Sequence, residues 1–323
     1  MDLFSSLSAT FLTPMVLAFL LGIIASVLKS DLKFSDGLYL GLTIYLLFAI
    51  GLKGGVKLSK SSIIEVYPIF LVAIAFCIAI PIWCFYILKN LLKIDGINAS
   101  AIAAHYGCVS AVTFSSAIIY LETLKVSFEG FMPALLAIME IPAIIIALFL
   151  AAKYNTQQTT SMRRILHELL TGKGTILLMG GILIGLLSGE TGFTKIAPLF
   201  DAPFSGVLTL FLLDAGIVAG RKLKDTLSAG IYLFLFAIIM PVLHAILGLF
   251  ASHAIGLSLG GATIFATLCA SASYIAAPAA VRMALPTANP SYYLSMSLAI
   301  TFPFNVIFGI PLYYKIAGMV YGV

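Results

Sequence analysis

Apolar runs of about 20 residues recur along the whole chain, separated by short polar turns. A run of that length matches the roughly 20 helical residues needed to cross a bilayer's hydrocarbon. The pattern restricts the chain to an all-α polytopic membrane protein. A β-barrel would instead show alternation in short segments, and the sequence has none. Composition agrees: 61% of the 323 residues are hydrophobic and 10% are charged, against about 25% charged in a soluble domain. The formal charge of +5 is modest; it bears on orientation in a bilayer, not on nucleic acid. Four cysteines, Cys77, Cys84, Cys108 and Cys269, lie in apolar segments with no C-x-x-C. They read as small buried hydrophobes, not ligands or a disulfide framework. The N-terminus lacks a positive leader and a small-residue cleavage site, so the first span is expected to serve as its own insertion signal.

Ten spans are expected, at 11–28, 38–52, 64–88, 98–121, 130–152, 174–188, 204–220, 229–250, 258–281 and 293–316. The second, sixth and seventh are short for a crossing. The one long polar connection, 153–173, contains N-T-Q-Q-T-T-S-M-R-R and divides the chain into halves 1–152 and 174–323. Its R-R-I-L-H-E-L-L piece is amphipathic and suits an interface element. With the N-terminus on one side, that side carries six Lys and Arg and the other twelve. The richer side is the cytoplasmic one, which puts both termini outside, on the periplasmic or extracellular face.

The halves repeat each other. A shift of 165 lays Leu47–Leu58 on Leu212–Leu223, with Leu47, Gly51, Gly55, Lys57 and Leu58 identical. A shift of 161 lays Cys108, Ser110 and Ala111 on Cys269, Ser271 and Ala272, and Pro142 on Pro303. A duplicated unit with an odd number of spans inserts its second copy upside down, the inverted-repeat geometry of secondary transporters.

The fourth and ninth spans correspond in this repeat, and both have centres of Ser, Gly, Ala and Thr. Pro278 removes a backbone donor and should expose a carbonyl near Tyr274. Broken backbone at membrane depth is tolerated where it lines protein or a wet cavity. Two discontinuous helices would bring two N-termini together as an anion site, with carbonyl ends for Na⁺. Small residues with Ser and Thr also mark ordinary tight helix packing.

Two carboxylates lie within apolar runs, Glu140 in A-I-M-E-I-P and Asp214 in L-F-L-L-D-A-G. Each has the chemistry to ligate Na⁺, carry a proton, or pair within the bundle. Thr301 matches Glu140 in the repeat, and Asn305 lies one turn beyond; both are candidate polar liners of an ion-coupling site. His105 suits either a cavity or a structural role. No zinc-ligand spacing, P-loop, nucleophile elbow or dinucleotide fingerprint occurs, so no enzyme activity and no cofactor is expected beyond Na⁺ as a coupling ion.

Three stretches carry a resemblance. They are Gly107–Glu122 (G-C-V-S-A-V-T-F-S-S-A-I-I-Y-L-E), Pro133–Ala143 (P-A-L-L-A-I-M-E-I-P-A), and the segment 270–293, A-S-A-S-Y-I-A-A-P-A-A-V-R-M-A-L-P-T-A-N-P-S-Y-Y. The chain resembles the sodium-dependent bicarbonate transporters of cyanobacterial type and their bacterial relatives. The resemblance implies ten spans as inverted five-span repeats, with a core and a gate domain. It implies Na⁺-coupled bicarbonate uptake, a homotrimer, a bacterial inner-membrane location, and control by a small PII-like cytosolic protein. By position, the substrate-binding residues would be Ser110, Ala111, Val112 and Thr113, with Ser271, Ala272, Ser273, Tyr274, Ile275 and Ala276. Na⁺ would sit near Glu140, Ser110 and Ser273. The chain departs from the family pattern where Tyr274 stands in place of an aspartate, and Ala276 and Ala277 in place of serine and glycine.

The expected function is Na⁺-coupled uptake of a small anion, bicarbonate first. Two alternatives stay open: a Na⁺- or H⁺-coupled carrier of another organic anion, and a membrane sensor or scaffold that binds a ligand without moving it.

Overall fold

The computed structural model describes residues 12–154, 161–228 and 230–322. Residue 11 of the first expected span, residues 155–160 of the connection and residue 229 lie outside the described residues. Every regular element described is helical. In chain order they are α1 Pro14–Val27, α2 Asp36–Leu58, α3 Ile63–Tyr86, α4 Gly96–Gly107, α5 Ala111–Thr123, α6 Met132–Met139 and α7 Pro142–Ala152. The second half holds α8 Met162–Thr171, α9 Lys173–Phe200, α10 Phe204–Ser228, α11 Ile231–Ala254, α12 Leu259–Ala270, α13 Ala276–Ala284 and the irregular helix α14 Pro290–Tyr321. Eight stretches are long and apolar enough to cross a membrane, counting α4 with α5 and α6 with α7 as one stretch each; α1 and α12 are shorter apolar helices.

Several expected limits shift, each for a local reason. The second span was expected to stop at 52, but α2 runs on through Lys53, Gly54 and Gly55 to Leu58. Lysine stems lie along apolar surface while the ammonium reaches polar surroundings, so Lys53 need not end the helix. The sixth was expected at 174–188. There α9 turns at Gly189, whose φ of +58° suits glycine, and resumes as far as Phe200. The fifth span is interrupted at Glu140–Ile141, because Pro142 cannot donate to the turn before it. At the matching place α14 is not broken but widened into π turns, Ser295–Thr301 and Asn305–Gly309.

The helices pack in two groups. One joins α1 to α10 and α2 to α9. The other gathers α3 to α7 with α11, α12 and the end of α14. Glycine permits the close backbone approach within the first group. A Cβ on Gly51 would stand 2.6 Å from the Leu178 carbonyl oxygen of α9, and one on Gly216 would meet the Phe19 carbonyl of α1. These two glycines are partners in the sequence repeat, and they do the same work at two interfaces.

Candidate functional site

The fourth and ninth spans break side by side. Helix α4 ends at Gly107, Cys108 is extended, and α5 starts at Ala111 with Ser110 as its cap. Helix α12 ends at Ala270, and α13 starts at Ala276 after the unwound residues 271–275. Pro278 falls in the first turn of α13, where its missing N–H has no intrahelical partner to lose. It therefore starts the second half-helix; the break lies just before it.

Hydrogen bonds sew the two breaks together. The Ser110 amide donates to Ser271 Oγ at 3.0 Å, and Ser271 Oγ donates to the Leu268 carbonyl at 2.8 Å. The Ser273 amide donates to the His105 carbonyl at 2.8 Å, satisfying one orphan carbonyl of α4. Each new helix is capped by a serine oxygen. Ser110 Oγ accepts from the Thr113 amide at 3.3 Å and from Thr113 Oγ1 at 3.0 Å, and Ser273 Oγ accepts from the Ala277 amide at 3.2 Å. The amides of Ala111, Val112 and Ala276 have no acceptor among the described hydrogen bonds.

A small cavity lies at this crossover, lined by Ser110, Ala111, Glu140, Ser273, Tyr274, Ile275 and Ala276, with Leu47 and Val109. Its volume is about 10 Å³, the room that one water-sized species requires. Na⁺ fits that space, whereas an anion with three oxygens needs the loop to move. The Tyr274 hydroxyl lies beside Ser110 without a hydrogen bond of standard geometry, and its ring meets Phe302 edge-on at 5.1 Å.

Glu140 is 8% exposed. Its carbonyl accepts from Cys108 Sγ at 3.0 Å, tying the fifth-span break to the fourth. Oε1 approaches the first turn of α9, where a Cβ on Gly174 would stand 3.0 Å away; a helix N-terminus favours a carboxylate. Oε2 is buried with no hydrogen-bond partner. A cation placed there would complete it.

Other expected residues lie elsewhere. Val112 and Thr113 continue α5 away from the cavity, and Ala272 is buried within the break. Thr301 is committed to protein partners: it donates to the Ala237 carbonyl at 2.7 Å and meets the Tyr106 hydroxyl at 2.7 Å. Asn305 is held at both ends, donating to the Ala270 carbonyl at 2.9 Å and accepting from the Tyr313 hydroxyl at 2.7 Å. It thereby satisfies the last carbonyl of α12. Asp214 lines a separate cavity of about 280 Å³ with Lys33, Asp36, Tyr39, Arg221 and Tyr274. Sequence reasoning missed Val109, Leu47 and Gly174. Their residue types carry no chemical signal, and only the fold brings them to the site.

Together these features define a helical membrane protein whose polar centre is made from interrupted helices. Residues 14–318 match the family model of the Na⁺-dependent bicarbonate transporter superfamily, and the chain belongs to that superfamily. No curated protein matches it.

Proposed function

We propose that this chain is a secondary active transporter that couples Na⁺ to the uptake of a small anion, with bicarbonate as the substrate. The observation that carries the reading is the crossover itself. Two half-helix N-termini, with free amides at Ala111 and Ala276, share one cavity with the buried carboxylate of Glu140, whose Oε2 has no partner. Na⁺ binds between Glu140, Ser110 and Ser273. Its charge offsets Glu140 and lets an anion approach the free amides of Ala111 and Ala276, where the dipole ends favour negative charge. Tyr274 closes the space in the conformation described here and moves aside for the anion.

The same reading takes the chain as ten crossings in two inverted copies, 1–152 and 174–323, joined by the cytoplasmic connection 153–173. Both termini lie outside the bacterial inner membrane. One contact supports the inversion. Ser110 and Ser271 are equivalent in the repeat and touch each other, as equivalent residues do near a two-fold axis. Assembly as a homotrimer and control by a PII-like cytosolic protein are part of this proposal on the sequence resemblance alone.

Uptake of ¹⁴C-bicarbonate into proteoliposomes tests the function. Saturable uptake that requires an inward Na⁺ gradient is the expected result. Uptake of a different anion, or flux driven by H⁺ alone, replaces the substrate or the coupling ion. Ligand binding without flux in folded protein removes transport altogether.

A further inference from the structure

The crossover cavity shares lining residues with two larger cavities, and neighbouring residues line different ones. The first, about 230 Å³, lies under α8 and is lined by Glu140, Glu168, Lys173, Ile275 and Ala276 among others. The second is the cavity of about 280 Å³ that holds Lys33, Asp36, Asp214, Arg221 and Tyr274. The small central cavity shares Glu140, Ile275 and Ala276 with the first, but Tyr274 with the second. The unwound segment at 274–276 is thus a wall between two routes.

Their charges differ. The first cavity has Glu140 at its inner end, with Oε2 unpartnered, and Glu168 and Lys173 exposed further out. No salt bridge to either carboxylate is present among the described residues. An anion entering there meets a buried like charge at short range, where little solvent screens it; a cation is drawn in. The second cavity sets Lys33 and Arg221 against Asp36 and Asp214, so it is balanced and open to an anion.

Resting on the Na⁺-coupled reading above, we propose that the two solutes leave the crossover by separate cavities. Na⁺ passes beneath α8 by way of Glu140 and Glu168, and the anion passes behind Tyr274 toward Arg221 and Lys33. Helix α8 roofs the cation route. Its buried Ile165 and Leu169 face that cavity, and Thr175 Oγ1 donates to the Leu169 carbonyl at 2.7 Å, holding the roof to α9.

The experiment measures Na⁺-driven bicarbonate uptake in sided proteoliposomes while Na⁺ or bicarbonate is raised on the α8 side, where each slows its own release. Glu168→Gln and Arg221→Gln alter exposed side chains, which keeps folding out of the comparison. Removing one nearby charge shifts local ion occupancy by about threefold. Glu168→Gln is expected to raise the half-inhibiting Na⁺ concentration by about that factor and leave bicarbonate within about 1.5-fold. Arg221→Gln is expected to do the reverse. If both ions shift together in either variant, or if neither variant moves either ion, the separate routes are refuted. If unaltered protein shows no Na⁺-dependent bicarbonate uptake, the transport reading fails first and takes this proposal with it.

Discussion

Glu140 is tied to the fold through its carbonyl, which accepts from Cys108, while its carboxylate has one oxygen beside the first turn of α9 and the other without a partner. Glu140→Gln keeps the shape and removes the charge. Its Na⁺ activation curve is expected to shift by at least about tenfold, the effect of losing roughly 1.4 kcal/mol of charge-assisted binding, with little change in thermal stability. Unchanged Na⁺ activation would remove Glu140 from the cation site. Gly174→Ala puts a methyl against Oε1 and is expected to weaken Na⁺ activation in the same direction but less. Asn305→Ala leaves the buried Ala270 carbonyl and the Tyr313 hydroxyl without a partner. Thermal unfolding should report a loss of about 1–3 kcal/mol. Glu140 was legible because a carboxylate in an apolar run demands a reason. Thr301 and Asn305 gave the same kind of signal with a different cause. A polar side chain that ties two helices and one that holds an ion look alike in one dimension, because the partner is remote in sequence. Gly174 gave no signal, since its role is only to be small beside a side chain 34 residues earlier.

At the scale of elements, the interruptions at the fourth and ninth spans follow from residues that form weak helix, and their positions were readable to within a few residues. The fifth-span break was readable from Pro142. What the residues did not reveal was how the breaks satisfy their own backbone. Serine caps and cross-bonds between 105–110 and 271–273 use groups that the bare pattern leaves free for ligand. The glycines of α2 and α10 offer a sharper test of packing. Gly51→Ala and Gly216→Ala both drive a methyl into a neighbouring carbonyl, and each is expected to destabilise detergent-solubilised protein by about 1–3 kcal/mol. Gly41→Ala and Gly180→Ala meet nothing within 4 Å and should leave the melting temperature unchanged or slightly higher. Equal losses at all four positions would show that close approach does not set the effect, because alanine is the better helix former at every one of them.

For the whole molecule, the facing surfaces of α2 and α5 lie between the two packing groups. Thr43 and Ser115 line one small cavity there. Linking Thr43→Cys to Ser115→Cys with a short bifunctional thiol reagent is expected to stop uptake. Linking Tyr45→Cys to Leu199→Cys, within the first group where the Tyr45 hydroxyl already reaches the Leu199 carbonyl, should leave uptake intact. Equal inhibition by both links would argue against relative movement of the groups. Lys53 of α2 pairs with Asp201 at 2.5 Å and lies over the Phe204 ring at 4.5 Å, so the first group is also fastened there. The clasp from the Ser110 amide to the Ser271 hydroxyl has a consequence for how such a machine keeps time. It ties the two unwound segments at the crossover, so on the proposed inverted-repeat reading neither half shifts its grip without carrying the other along. On the transport reading proposed above, the solute is then held by two breaks that move together, and the stroke belongs to the frame around them.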